Sequence, residues 1–305
     1  MSSLVVHVLV LLVLPIYVVG TINRTKALWS GRRGQPLAQL AFDAVRLMRK
    51  RAVYSTVTTP IFRLTPWVGL VTALSSGLLV PMLGRAAPLA FPFDFVVFAY
   101  VWGLGRVALM LGALDTGSSF EGMGASREAS FAALLEPAFF LVAGAACLLT
   151  HERSFAAILA LRPTDLVLGA AWVLSLLSML VIVQVESARM PVDDPTTHLE
   201  LTMVHEVMVL DHSGPDLAAL QVGAAMKLTV GLSLIAALVN PAVGHAGPLV
   251  TGVLNVAITL LFAVIVGTVE SLIARLKMSD VPRYIVAAVV AGGIALLTTT
   301  FGGGR

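Results

Sequence analysis

Apolar residues fall in eight long runs separated by polar connectors, at 4–20 and at about 66–84, 92–114, 129–149, 165–185, 222–240, 249–272 and 283–301. Coiled as an α-helix, a run of roughly 17–25 such residues spans the hydrocarbon core of a bilayer. The pattern predicts an all-α, polytopic membrane protein of about eight transmembrane helices. No Lys or Arg precedes the first run, so it reads as a retained span with its N-terminus outside, not a cleaved leader. One shorter pattern stands apart. Leu37, Leu40, Ala41, Ala44, Val45 and Met48 recur at helical spacing beside Arg46, Arg49 and Lys50. A basic amphipathic helix of this kind is expected to lie on the membrane surface. Ser126 is placed to cap the fourth span, with Glu128 in its first turn.

Composition narrows this to one membrane domain covering 1–305. Hydrophobic residues make up 58% of the chain and charged ones only 12%, too apolar a mix for a soluble domain of this size. The connectors at about 21–65, 115–128, 186–221 and 273–282 are expected on one side. Together with Arg283 at the start of the eighth run, they carry fourteen Lys and Arg, against four at Arg85, Arg153, Arg162 and Arg305. The positive-inside rule then puts those loops in the cytoplasm and both termini outside. Cys147 is the single cysteine. That excludes an internal disulfide framework and an iron–sulfur cluster ligated by this chain alone. The basic residues hug the spans, with no recognition fold among them, which argues against nucleic-acid binding.

Ionisable groups inside the runs mark candidate chemistry, because each costs roughly 2.5–3.5 kcal/mol at the bilayer centre on insertion scales. Arg106 and Glu136 lie deep. Lys227 sits near the start of the sixth run. Pro137 follows Glu136 and frees the carbonyl of Ala133, a place for water. Asp94, Asp115 and Glu270 lie at run ends and read as residues reaching the headgroups. Arg106 and Asp115 are separated by roughly 13 Å along a helix. Arg106 therefore needs a carboxylate from another helix or another subunit. Such groups suit a hydrated path for protons or sodium ions.

The stretch 185–214, VESARMPVDDPTTHLELTMVHEVMVLDHSG, gathers the most polar chemistry. It holds Glu186, Asp193, Asp194, Glu200, Glu206 and Asp211, with His198, His205 and His212 seven apart. Asp194-Pro195 has the form of a helix start, and the spacing predicts a helix from about 195 to 210. His205-Glu206 lacks the second histidine of a zinc-protease helix, and His198 and His205 are roughly 10 Å apart, so no metal site is expected. Leu199, Leu201, Met203, Val204, Val207, Met208, Val209 and Leu210 crowd the same stretch. They must be covered by a partner or by the domain's own span ends.

The segment E-S-A-R-M-P-V-D-D-P-T-T-H-L-E-L-T-M-V-H-E at 186–206, with G-R-R-G at 31–34 and L-D-T-G-S-S-F-E-G-M-G-A-S-R-E-A at 114–129, resembles the membrane subunit of group 4 nickel–iron hydrogenases. That family includes formate hydrogenlyase subunit 4 and hydrogenase-4 component C. It is similar, more distantly, to NADH dehydrogenase subunit 1 of respiratory complex I. Glu186, Arg189, Pro191, Asp193 or Asp194, Pro195 and Glu200-Leu201 match the complex I pattern. Arg127, nine residues before Glu136, matches an arginine of the same complex I protein. The match fails at His198 and beyond Leu201, which disfavours quinone binding. The resemblance implies a non-catalytic connector. Its loops would seat a hydrogenase large subunit with the nickel–iron centre and a small subunit with iron–sulfur clusters. No cofactor is expected in this chain. Antiporter-like membrane subunits would be its neighbours in the cell membrane. Glu136, Glu186, Arg189, Asp193, Asp194 and Glu200 would line the junction, and Arg106 and Lys227 would carry the path inward. The alternatives are the quinone-site subunit of a complex I-type NADH dehydrogenase, a passive membrane anchor, or a stand-alone transporter.

Overall fold

The computed structural model describes residues 2–84, 86–160, 166–193 and 203–302. Among these residues the chain is helical, with no strand. Its elements are α1 (Ser2–Trp29), α2 (Gln39–Met48), α3 (Pro60–Leu79), α4 (Asp94–Asp115), α5 (Ser119–Thr150), α6 (Phe155–Ile158), α7 (Leu166–Glu186), a 3-10 turn (Glu206–Val209), α8 (Gly214–Val239), α9 (Pro248–Leu272) and α10 (Val281–Gly302). Eight of them are long and apolar enough to cross a bilayer, as the eight runs predict. α8 is the axis. In its most apolar 18-residue window 78% of the residues are buried, against 28–39% in those of the other seven. It packs against α1, α2, α3, α7 and α9.

Several helices extend by a turn or more beyond their apolar runs at the end where the long polar connectors gather, called here the loop end. α1 continues to Trp29. α3 begins at Pro60, because Asp115 at the end of α4 accepts the Thr59 amide and hydroxyl, both at 2.7 Å. This corrects the reading of Asp115 as a headgroup residue: it closes the N-terminus of a neighbouring helix. α5 begins at Ser119, so Ser126 and Glu128 lie inside it. Ser126 is not a cap, and Glu128 is not in the first turn. The glycines of this stretch serve packing instead. A Cβ on Gly124 would press into the Val207 side chain and the Val204 carbonyl. α8 begins at Gly214, whose φ of +56° is easy only without a side chain, and whose absent Cβ lets the Arg51 backbone approach.

The predicted surface helix is α2. It has no buried residue; one side rests on α8 and α1, while Phe42, Val45 and Met48 are exposed. The predicted helix at 195–210 is not found in its described part. Residues 203–210 form only a 3-10 turn with flanking bends, and 194–202 lie outside the described residues. Met203, Val204, Val207, Met208 and Val209 are buried, the larger part of them against Leu109 and Ala113 of α4 and Ala125 of α5. The chain's own span ends therefore cover the described part of this apolar run, and among its described apolar residues only Leu210 is exposed.

At the far end a buried amide clamp joins α8 and α9 to the segment that follows α3. Asn255 on α9 donates to the Met82 carbonyl (2.9 Å) and to Ser233 on α8 (3.1 Å). Asn240 donates to the Thr251 carbonyl at 3.0 Å. All of these side chains are inaccessible. An Asn255→Ala change leaves partners unpaired in a dry interior, at about 1–3 kcal/mol. The expected result is a lower melting temperature of the detergent-solubilised protein, with an unchanged helical signal by circular dichroism.

Candidate functional site

Four residues at every fourth position of α4 lie on one face: Asp94, Phe98, Trp102 and Arg106, all buried. The i, i+4 repeat of a helix puts them in one stripe running from the far end inward. Arg106 is where this stripe meets α5 and α7. Its Nη2 lies 2.9 Å from Glu186 at the end of α7 and 3.6 Å from Glu136 on α5, and its Nε is 4.0 Å from Glu128. Lys227 on α8 closes the group from the opposite side, 2.6 Å from the second oxygen of Glu186. Its ammonium also sits 5.5 Å from the Trp102 ring centroid. Charges withdrawn from water are tolerated when mutually paired. Here three carboxylates face two cations, so the cluster carries one negative charge in excess when all are ionised.

A cavity of about 80 Å³, lined by Arg106, Glu128, Glu186, Lys227, His205 and Thr72 among others, lies within this cluster. It has room and polar partners for a few waters. Toward the far end the way is closed by aromatic rings. Phe98 packs on Trp102 (4.5 Å), Phe139 (5.8 Å) and Phe155 (5.1 Å). Phe155 begins the short α6, and its amide is fastened to the Asp94 carboxylate at 2.5 Å. Asp94 is thus a buried tether, which corrects its placement at the headgroups.

A second charged group stands beside the first, at the root of the 187–214 loop. Glu270 on α9 has a fully buried side chain, paired with Lys26 of α1 at 2.9 Å and with Arg189 at 3.4 Å. It too is no headgroup residue. Asp193 binds Arg275 at 3.0 Å and accepts the amides of Val204 and His205, each at 3.0 Å. The Leu276 amide reaches the Pro191 carbonyl at 2.9 Å. These bonds sew the two ends of the described loop to each other and to the α9–α10 connector. A larger cavity of about 310 Å³ opens here between α1, α2 and α8, lined by Asn23, Gln39, Asp43, Arg189, Asp193 and Gln221, among others.

His205 borders both cavities. Burial, the Lys227 charge and, more weakly, Arg189 lower its pKa to about 4 against the opposing pull of Asp193, so it is neutral near pH 7. His212, just ahead of α8, is stacked on Phe62 with ring centroids 3.9 Å apart.

The structure thus brings Arg106, Glu136, Glu186 and Lys227 together, and supplies Arg106 with its carboxylates from other helices of the same chain. Arg189 and Asp193 fall in the second group. Arg127 lies in neither; its guanidinium donates to the Met203 carbonyl at 2.9 Å and touches the Met123 sulfur, holding the loop to α5. Asp194, Glu200 and His198 lie outside the described residues. Sequence reasoning misses Glu128 and Glu270 as members of these groups. For Glu128 a signal existed: it lies eight residues before Glu136, two turns along one helix that had to answer a buried arginine.

A model of the NADH dehydrogenase family matches residues 2–301. The chain belongs to this family. This family member is 30% identical over 241 residues to hydrogenase-4 component C of Escherichia coli (strain K12), covering 77% of this chain and 73% of that one. It is 26% identical over 275 residues to formate hydrogenlyase subunit 4 of the same organism, covering 87% of each. The fold is shared with a chain in the structure of the membrane-bound sulfane sulfur reductase, an archaeal respiratory membrane complex. The TM-score is 0.79, at 17% identity and with 97% of each chain covered. These two relatives of this NADH dehydrogenase family member are named as parts of a hydrogenase and a formate hydrogenlyase.

Proposed function

We propose that this chain is the membrane connector of a group 4 hydrogenase or formate hydrogenlyase-type complex. In this reading it seats a nickel–iron large subunit and an iron–sulfur small subunit on its loop end, in the cytoplasm, and takes part in coupled ion movement, with the proton as the first candidate. The observation that carries the proposal is the Arg106–Glu128–Glu136–Glu186–Lys227 cluster under the 187–214 loop. A passive anchor gains nothing from five buried or lipid-depth charges, each of which costs stability. The cluster's excess negative charge lets it take up one proton without acquiring a net positive charge. Glu186 is held between two cations. Glu128 and Glu136, each farther from Arg106, are the sites where a proton is accepted. Movement of Arg106 or Lys227 relative to them would change their proton affinity, because an opposite charge within ~4–6 Å favours the ionised form. The loop that carries His205 is the surface on which a seated metalloenzyme would act.

Affinity purification in mild detergent followed by mass spectrometry tests the assembly. Large, small and antiporter-like subunits are expected in the eluate. Recovery of the chain alone would end this reading. In the intact complex, Glu136→Gln should leave assembly in place but lower the ion gradient built per hydrogen turned over in vesicles. Full coupling in that variant would remove Glu136 from the path.

A further inference from the structure

Glu136 is in an unusual place for a carboxylate. It lies near the middle of α5, about 26 Å from Ser119 and about 21 Å from Thr150 at ~1.5 Å per residue. Yet its side chain is 57% exposed on the outside of the bundle. The cation it faces, Arg106, is already engaged by Glu186 at 2.9 Å. The remaining donors of Arg106, Nε and Nη1, have no hydrogen-bond partner among the described residues, and with the side chain only 5% exposed water does not reach them freely. A shallow notch of about 20 Å³ between α4, α5 and α7, lined by Arg106, Glu136, Phe139, Phe140 and Glu186 among others, connects the charge cluster to this outer face.

The surface around the notch is unlike the rest of the bundle's exterior. α4 and α9 expose branched and aromatic apolar side chains, including Leu104, Val107, Leu111, Val253 and Leu261, as lipid-facing helices do. Between the exposed Met123 and Phe140, α5 instead exposes Ser126, Ala129, Ser130, Ala133 and Glu136 in one stripe. Small residues three and four apart let a second helix approach closely, and interhelical hydrogen bonds hold it there. Acyl chains can do neither, and an ionised carboxylate facing them has no solvation.

We infer that the α5 stripe Ser126–Glu136, with the notch beside it, seats a transmembrane helix of a neighbouring membrane subunit, which places a hydrogen-bond-donating or cationic side chain against Glu136. The charge argues for the donor: the cluster holds one excess negative charge, and Glu136 is the member left at its open edge. The inference rests on the connector reading above, and adds which face of the chain meets the membrane arm and what chemistry the neighbour brings.

The test is photo-crosslinking in native membranes containing the whole complex, with p-benzoylphenylalanine in place of Phe140 at the rim of the notch, and in place of Val253 on the lipid-like face of α9 as a control. An adduct to a membrane subunit from Phe140 but not from Val253 is expected. Lipid adducts only, or an adduct to a peripheral subunit or to a second copy of this chain, would overturn the inference. If co-purification still returns the full complex in that case, the connector reading survives without it. A second arm uses assembly. Ala133→Trp fills the stripe at an exposed position and should reduce the membrane partner recovered at least tenfold. Glu136→Gln keeps an acceptor and should retain the partner, whereas Glu136→Leu should lose it. Equal recovery in all three variants would refute the seat.

Discussion

An Arg106→Leu variant is expected to be strongly destabilised and to accumulate poorly in membranes. The change removes one of two cations from a cluster of three carboxylates and leaves Glu186, whose side chain is 4% exposed, held by Lys227 alone. Breaking one side of a buried ion pair costs about 3–5 kcal/mol, because the surviving charge keeps its desolvation penalty. That is a large share of the stability of an ordinary domain. Removing the charge of both members separates this effect from simple loss of packing. Arg106→Leu combined with Glu186→Gln returns the cluster to one negative charge in excess and leaves no ionised Glu186 to be held by Lys227 alone. The double variant should recover most of the lost expression and thermal stability, a non-additivity expected only for groups in direct contact. It should not recover ion coupling. If the single and double variants melt alike, the pairing read from the geometry is not what holds α4 to α7.

The eight spans were legible because hydropathy over membrane length is a strong signal with few imitators. Their limits were not. Hydropathy marks a span's end where polar residues begin, but at the loop end of this protein polar residues pack against one another instead of facing water. Asp115 capping α3 is one instance. The same blindness affected the charges. Glu270 looked like an end-of-span residue because nothing nearby in the chain answers it; its partner Arg189 is 81 residues away. Arg106 could be read as needing a partner, since Asp115 is too far along its helix, but which helices would supply carboxylates is a property of packing. The apolar 203–210 segment called for a cover, and the sequence left open whether a partner or the chain's own helices provide it. Burial of Val207 and Met208 against α4 and α5 answers that for the described residues.

Lowering the pH should loosen the loop end before it disturbs the bundle. His205 and His212 are both held neutral, with pKa values of about 4. For His212 the first cause is burial, opposed by the nearby Asp216 and Asp211 charges. In the unfolded chain each titrates near 6.5. Between those values the unfolded chain binds more protons, so stability rises with pH across that window. The contribution is complete above about pH 6.5 and is lost as the pH falls toward about 4. At about pH 5 the loss is about 2 kcal/mol for each imidazole, from ~1.36 kcal/mol per pH unit. The expected result is a melting temperature of the detergent-solubilised complex that falls between about pH 7.5 and about pH 5, together with faster proteolytic cleavage near residues 203–213. His212→Phe offers a clean check. A phenyl ring can keep the stack on Phe62, needs no partner for the two ring nitrogens that lack one, and cannot be protonated. The variant should be as stable as the parent at about pH 7.5 and lose roughly half of the acid sensitivity. An undiminished pH slope in this variant would mean that other groups, not the buried imidazoles, set the acid limit of the loop.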